Sequence, residues 1–364
     1  MASLLKHNHA LPYPSHLTPI PKDNNFDLLR FTFAAMVFFV HAYQLSGAQE
    51  LVFLRDIFSS GLAVQCFFVV SGFLIFMSYE NAAGLGDYFE KRVRRIYPAY
   101  FTVVLLCSLL GVLISSYSWV DYFSSADLYR YLAANLVFLN FIHPDLPGVF
   151  NGNQINAVNG ALWTLKIEVM FYLSVPLLVW FFRKIGLWQG LLLAYIASFS
   201  YSFVMGLLAD QHGGIYVELQ RQLPGQLMYF IAGGALYYYF KQFKEYSKSI
   251  VLPALVAYIL EYFYHFGIFH AASVAVIVVF LGCLLRYLGN FGKYGDFSYG
   301  VYILHFPILQ TLVAIQFFEY SPFMAISLAV VLIMATAFFM WHWVEKPMLK
   351  KSSHYLSVAI NKYA

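Results

Sequence analysis

The sequence predicts an all-α integral membrane protein of about ten transmembrane helices with both termini in the cytoplasm. Three observations lead there. The first is composition: 61% of the 364 residues are hydrophobic, 20% aromatic and only 11% charged, with a mean hydropathy of +0.66. A soluble domain carries about 25% charged residues, so this chain cannot cover a water-facing surface of ordinary polarity. The second is the recurrence of apolar runs of roughly 18–22 residues, the length a helix needs to cross a ~30 Å hydrocarbon core. The third is the alternation of basic and basic-poor connections between those runs.

Taken in order, the runs fall at 26–46, 61–79, 98–117, 163–182, 187–208, 223–240, 250–266, 270–288, 297–317 and 322–344. Lys6, Lys22 and Arg30 precede or open the first, and Lys91, Arg92, Arg94 and Arg95 lie before the third, where Pro98 is expected to open the span. Arg183 and Lys184, then Lys241, Lys244 and Lys248, then Arg286 and Lys293, then Lys346, Lys350 and Lys351 mark every second connection after that. The intervening loops hold Glu50, Asp121, Asp127, Asp145, Asp210, Glu218 and Glu319 with few basic partners. An even number of spans with both ends inside gives this pattern. Residues 1–25 are then a cytoplasmic segment, 26–345 the transmembrane domain and 346–364 a cytoplasmic tail. The first 25 residues are polar and Pro-rich without an apolar core, so the first span is expected to act as an uncleaved anchor in the cytoplasmic (inner) membrane.

The longest outer connection, 118–162, contains "DLYRYLAANLVFLNF", a predicted short helix, followed by a Gly/Asn/Pro-rich loop. Long loops in compact proteins tend to carry function. Cys66, Cys107 and Cys283 all sit inside apolar runs and read as small buried hydrophobes, with no disulfide framework and no metal spacing. Phosphate-cradling, nucleophile-elbow and zinc motifs are absent from the sequence. Its few basic residues border the membrane, which argues against nucleic acid as a partner.

Ionisable groups at membrane depth are expensive and mark functional sites. "LLRFTFAAMVFFVHAYQLSG" carries two, Arg30 and His41. Eleven positions separate them, close to three turns, so they share one helix face with about 20° between them and about 16 Å of height. Asp27, one turn before Arg30, is placed to orient it. "GALWTLKIEVMFYL" places Glu168 about 9 Å inside the outer end of its span, the depth at which His41 also lies. An imidazole and a carboxylate at matched depth predict a base with its orienting partner. In "YFEKRVRRIYPAY", Arg92 and Arg95 are spaced to face one side of a helix, and arginine forks suit phosphates. His305, in "SYGVYILHFPI", lies near mid-membrane beside Tyr302, and both are expected to line a substrate pocket. Pro307 two residues on frees a carbonyl that a neighbour must satisfy. Ser71 and Gly72 in "FFVVSGFLIF" predict close helix approach, and Glu345 in "WVEKPMLK" predicts an ion pair at the membrane boundary.

These blocks, in this order from residue 26 to about 350, resemble the landmarks of the membrane-bound acyltransferase 3 family. The resemblance implies ten spans and transfer of an acyl group, most often acetyl from acetyl-CoA or another acyl-CoA. The implied acceptor is an extracytoplasmic carbohydrate or glycolipid such as O-antigen or exopolysaccharide. It implies His41 and Glu168 as catalytic, Arg30, Arg92 and Arg95 as donor-binding and Trp163 as a further site residue, with no metal. Lys166 and Val169 depart from the small polar and acidic residues common at their positions, which leaves acceptor choice open. On this reading His41 deprotonates an acceptor hydroxyl that attacks the thioester, either directly or through an acyl-histidine. A transporter or flippase with an intramembrane Arg/His/Glu relay is the alternative, although no matching pair of broken spans supports it. A glycosyltransferase stands further back, because the outer-loop aspartates form no compact motif.

Overall fold

A computed structural model describes residues 19–264 and 267–350. The first eighteen residues with Lys6, the end of the predicted span 250–266, and the tail from Lys351 onward lie outside the described residues. Among the described residues every regular element is helical.

Ten helices fall on the ten predicted runs. They are α1 (Phe26–Ser46), α2 (Ser60–Glu80), α3 (Leu85–Leu110), α4 (Trp163–Ile185) and α5 (Leu187–His212). Then come α6 (Leu223–Tyr238), α7 (Phe240–Tyr264), α8 (His270–Val279), α9 (Ser298–Ala314) and α10 (Pro322–Phe339). Six stretches, containing α1 to α5 and α10, are long and apolar enough to cross a membrane. The other four fall short: α6, α8 and α9 have 16, 10 and 17 residues, and α7 opens on a charged segment. The count of ten spans is therefore met by six on length and composition. A helix over Ala126–Asn135 matches the one predicted in the long loop.

One boundary differs from expectation. Pro98 does not open a span; it lies inside α3, which starts at Leu85 and carries the arginine segment as its first turns. A continuous helix holds those side chains at fixed azimuth, where a loop would leave them loose.

Local chemistry explains the ends and the prolines. Ser59 caps α2 by accepting from the Leu62 N–H, and Gly47 closes α1 in the left-handed conformation, φ 65°. Asn25 is buried at the start of α1 and pins it to the turn after α8. Its backbone N–H donates to the Gly282 carbonyl at 2.7 Å and its amide to Leu281 O at 3.0 Å, while its Oδ1 accepts from the Leu288 N–H at 2.9 Å. Pro307 frees the Ile303 carbonyl, and Asn159 of the long loop donates to it at 2.8 Å. Pro176 in α4 frees the Tyr172 carbonyl, which accepts from the Tyr88 hydroxyl at 3.1 Å. The long loop is strapped to α9 a second time through Gln310, whose amide reaches Ile155 O at 2.6 Å and Ala157 O at 2.8 Å.

Helices α2 and α6 pack backbone against backbone, and glycine makes it possible. A Cβ on Gly72 would run into the Phe230 carbonyl, and one on Gly233 into the Val69 carbonyl. Backbone contact of this kind is how small residues bring membrane helices together. Gly72→Ala is therefore expected to cost about 1–3 kcal/mol through overpacking. A lowered melting midpoint in detergent, relative to Gly84→Ala, which meets nothing within 4 Å, is the check.

Candidate active site

Two cavities meet inside the bundle. The outer one, about 470 Å³, opens at the basic end and is lined by Lys22, Lys91 and Lys350 together with Arg30, Arg92 and Arg95. The inner one, about 130 Å³, shares Arg30, Leu74, Arg92 and Arg95 with it and runs on past Ser71, Glu168 and Tyr172 to Thr164, Phe67 and Tyr302. The predicted gathering of Arg30, Arg92 and Arg95 at one mouth is thus present in the geometry.

The three arginines are not equivalent. Arg30 pairs with Asp27 at 2.5 Å and with Asp296 at 3.1 Å. Arg95 pairs with Asp296 and, at 2.8 Å, with Glu345, and its guanidinium also lies over the Tyr299 and Trp341 rings. Asp296 and Glu345 are 2% and 1% exposed. Such buried carboxylates are tolerable only when paired, so Arg95 is spent on holding the start of α9 and the end of the last helix against α3. The sequence places Arg95 among the donor-binding groups; here it lines both cavities while its guanidinium is engaged by Asp296 and Glu345. Arg92 differs: no carboxylate pairs with it among the described residues. Its Nη2 donates to Ser78 Oγ at 3.1 Å, its guanidinium lies over Tyr172, and its buried Nε has no hydrogen-bond partner. A guanidinium without a counter-charge, lining both cavities, is the group suited to an anion.

At the rim, Lys350 is clamped by Glu90 and by Asp87 at 2.9 Å, which holds its ammonium above its ordinary pKa. This brings the segment after the last helix across the first turns of α3, beside the outer cavity.

The matched depth of His41 and Glu168 does not make them partners. Helix α1 packs on α2 and α9, whereas α4 packs on α2 and α5, and the hydrogen bonds of the two side chains go to different partners. Glu168 accepts from Tyr172 Oη at 2.5 Å and from Ser71 Oγ at 3.2 Å, and lines the inner cavity. His41 instead meets His305: Nδ1 of the first is 2.8 Å from Nε2 of the second, with the rings stacked at 5.1 Å. His305 is fully buried and does not line the cavity; Tyr302, one turn earlier, does. In the lining of the inner cavity Tyr302 bonds Thr164 at 2.7 Å and meets Phe67 edge-on at 5.5 Å. His41 is in the lining of neither cavity, and its ring meets Phe306 edge-on at 5.5 Å. Trp163 is outside the cavity too, its ring under the Arg221 guanidinium.

Sequence reasoning missed Asp296 and underrated His305. The first had one visible signal, an acid in an otherwise basic connection just before the "SYG" that opens α9. The second had Pro307, which signals that this stretch of helix needs outside partners. Cys66, Cys107 and Cys283 are free thiols, and among the described residues no His/Cys/Asp/Glu grouping could hold a metal ion.

Comparison with known proteins adds the chemistry. Residues 23–342 match the acyltransferase-domain family known as acyltransferase 3. An O-acetyl transferase of Shigella phage Sf6 is 28% identical over 93% of this chain and 99% of its own length. Nodulation protein 10 of Rhizobium leguminosarum bv. viciae is 28% identical over 80% of this chain and 84% of its own. O-acetyltransferase OatA of Staphylococcus aureus is 21% identical over 80% of this chain but only 53% of the longer relative. No solved structure matches. With the family matched across most of the chain and its relatives named for O-acetyl transfer, this membrane protein belongs to the acyltransferase 3 family and is an O-acyltransferase.

Proposed function

We propose that the protein moves an acyl group, most simply acetyl, from acyl-CoA on the cytoplasmic side to a hydroxyl of an extracytoplasmic carbohydrate, and that it does so in the inner membrane through ten spans. The observation that carries this reading is the pair of cavities joined at Arg92: a wide basic vestibule continuing into a narrow, largely apolar channel. A nucleotide phosphate group and a long thioester arm have those two shapes and polarities. Arg92 and Lys22 hold the phosphates. Glu168, Ser71 and Thr164 offer oxygen acceptors to the amide N–H groups of the arm.

Chemistry then falls to His41. Its ring takes the acceptor hydroxyl's proton as the oxygen attacks the thioester carbonyl; the C–O bond forms, the C–S bond breaks, and the departing thiolate recovers the proton. On this reading Tyr302 and Phe67, which line the inner cavity, part as the thioester arrives at His41. A closed channel keeps water from the thioester until both substrates are present.

The test is direct. Purified protein in nanodiscs, given radiolabelled acetyl-CoA and surface glycan, is expected to label the glycan and release CoA in equal amounts. Movement of glycan across the bilayer without loss of thioester would overturn the reading in favour of transport.

A further inference from the structure

Resting on that reading, we propose that His305 is the positioning residue for His41: it accepts the hydrogen bond from His41 Nδ1–H and so leaves His41 Nε2 as the proton-accepting atom.

The assignment follows from the hydrogen-bond network. His305 Nδ1 lies 3.3 Å from the Val301 carbonyl oxygen, one turn back on α9. A carbonyl only accepts, so Nδ1 carries the hydrogen. A neutral imidazole has one N–H, which makes His305 Nε2 a lone pair. That lone pair faces His41 Nδ1 at 2.8 Å. His41 Nδ1 is then the donor, and its remaining nitrogen is bare. Each ring fixes the other, and the chain of donors ends on a backbone carbonyl.

The surroundings hold this arrangement still. His305 is 0% exposed. The Phe306 ring meets His41 at 84° and 5.5 Å, and Gly160 of the long loop lies against Phe306, where a Cβ would collide with the ring. Asn159, the neighbour of Gly160, holds the Ile303 carbonyl. One turn of α9 is therefore gripped from the loop side while His305 grips α1.

A neutral partner also has a physical reason in this place. A carboxylate beside His41 would need its own desolvation repaid within the bilayer, whereas an imidazole acceptor enters the apolar interior uncharged. When His41 takes a proton, its Nδ1–H becomes a stronger donor and the same contact to His305 strengthens. The interaction thus grows where charge develops, the condition for raising kcat.

The experiment compares His305→Leu with His305→Gln, because the glutamine carbonyl can replace the lost acceptor. Transfer is followed with acetyl-CoA and glycan, and donor binding and detergent melting serve as controls on folding. His305→Leu is expected to lower kcat about 100-fold with donor KM unchanged, and His305→Gln to restore at least about tenfold of that loss. Should the leucine variant fail to accumulate, His305→Asn, whose carbonyl falls short of His41, is expected to fold and show the low kcat. Full kcat in His305→Leu or His305→Asn overturns the proposal, as does equal loss in the leucine and glutamine variants with normal melting. If the wild-type protein transfers no acetyl group, it is the acyltransferase mechanism above that falls; if it does and His305→Leu matches it, only this assignment falls.

Discussion

His41→Ala is expected to abolish acetylation of the acceptor while the protein still accumulates and melts normally. The side chain is partly exposed, and its inner contacts are the His305 and Phe306 rings. Its removal takes away the proton acceptor, a loss of about 10²–10⁴ in kcat for a general base. Donor affinity is expected to stay, since Arg92 lies about three helical turns away in depth, beside Arg30. Mass spectrometry of cell-surface glycans reads the result as disappearance of an acetyl-sized increment. Continued acetylation by the alanine variant would remove His41 from the chemistry.

Arg92→Ala is expected to raise the donor KM by about 10- to 100-fold, the worth of one or two charge-assisted hydrogen bonds in a partly buried site. Arg92→Lys should recover part of it, because an ammonium keeps the charge but loses the fork. The companion variant Arg95→Ala is expected to behave differently. It takes the ion-pair partner from Glu345, which is nearly inaccessible, and leaves Asp296 with Arg30; breaking a buried pair from one side costs about 3–5 kcal/mol. The outcome to look for is loss of folded protein for Arg95→Ala against folded protein with weak donor binding for Arg92→Ala. Identical kinetic defects in two well-folded variants would show that both arginines hold the donor.

Much of the arrangement was legible in the residues. Hydropathy marked the helices, because a backbone in hydrocarbon must satisfy itself within one segment. Arg30 with Asp27 followed from one helical turn, and Pro307 announced a carbonyl in need of a donor, which turned out to be Asn159. Gly72 announced a close crossing. What failed was the inference from depth to contact. His41 bonds His305, whereas Glu168 bonds Ser71 and Tyr172. The Pro98 boundary failed for a related reason, since a proline can sit inside a long membrane helix when neighbours accommodate it.

The sequence alone determined the helical membrane class, the rarity of its intramembrane charges and the azimuth and height of each along its own helix. Only the tertiary structure decided that His41 faces His305, that Asp296 bridges two arginines while Arg92 has no carboxylate partner among the described residues, and that Glu168 lines the channel. The physical reason is that periodicity governs positions within one helix, whereas partners come from other helices at any distance along the chain, from 97 residues for Ser71 and Glu168 to 264 for His41 and His305. Their neighbourhood is set by which small residues let backbones approach and which faces pack, information spread over the whole bundle.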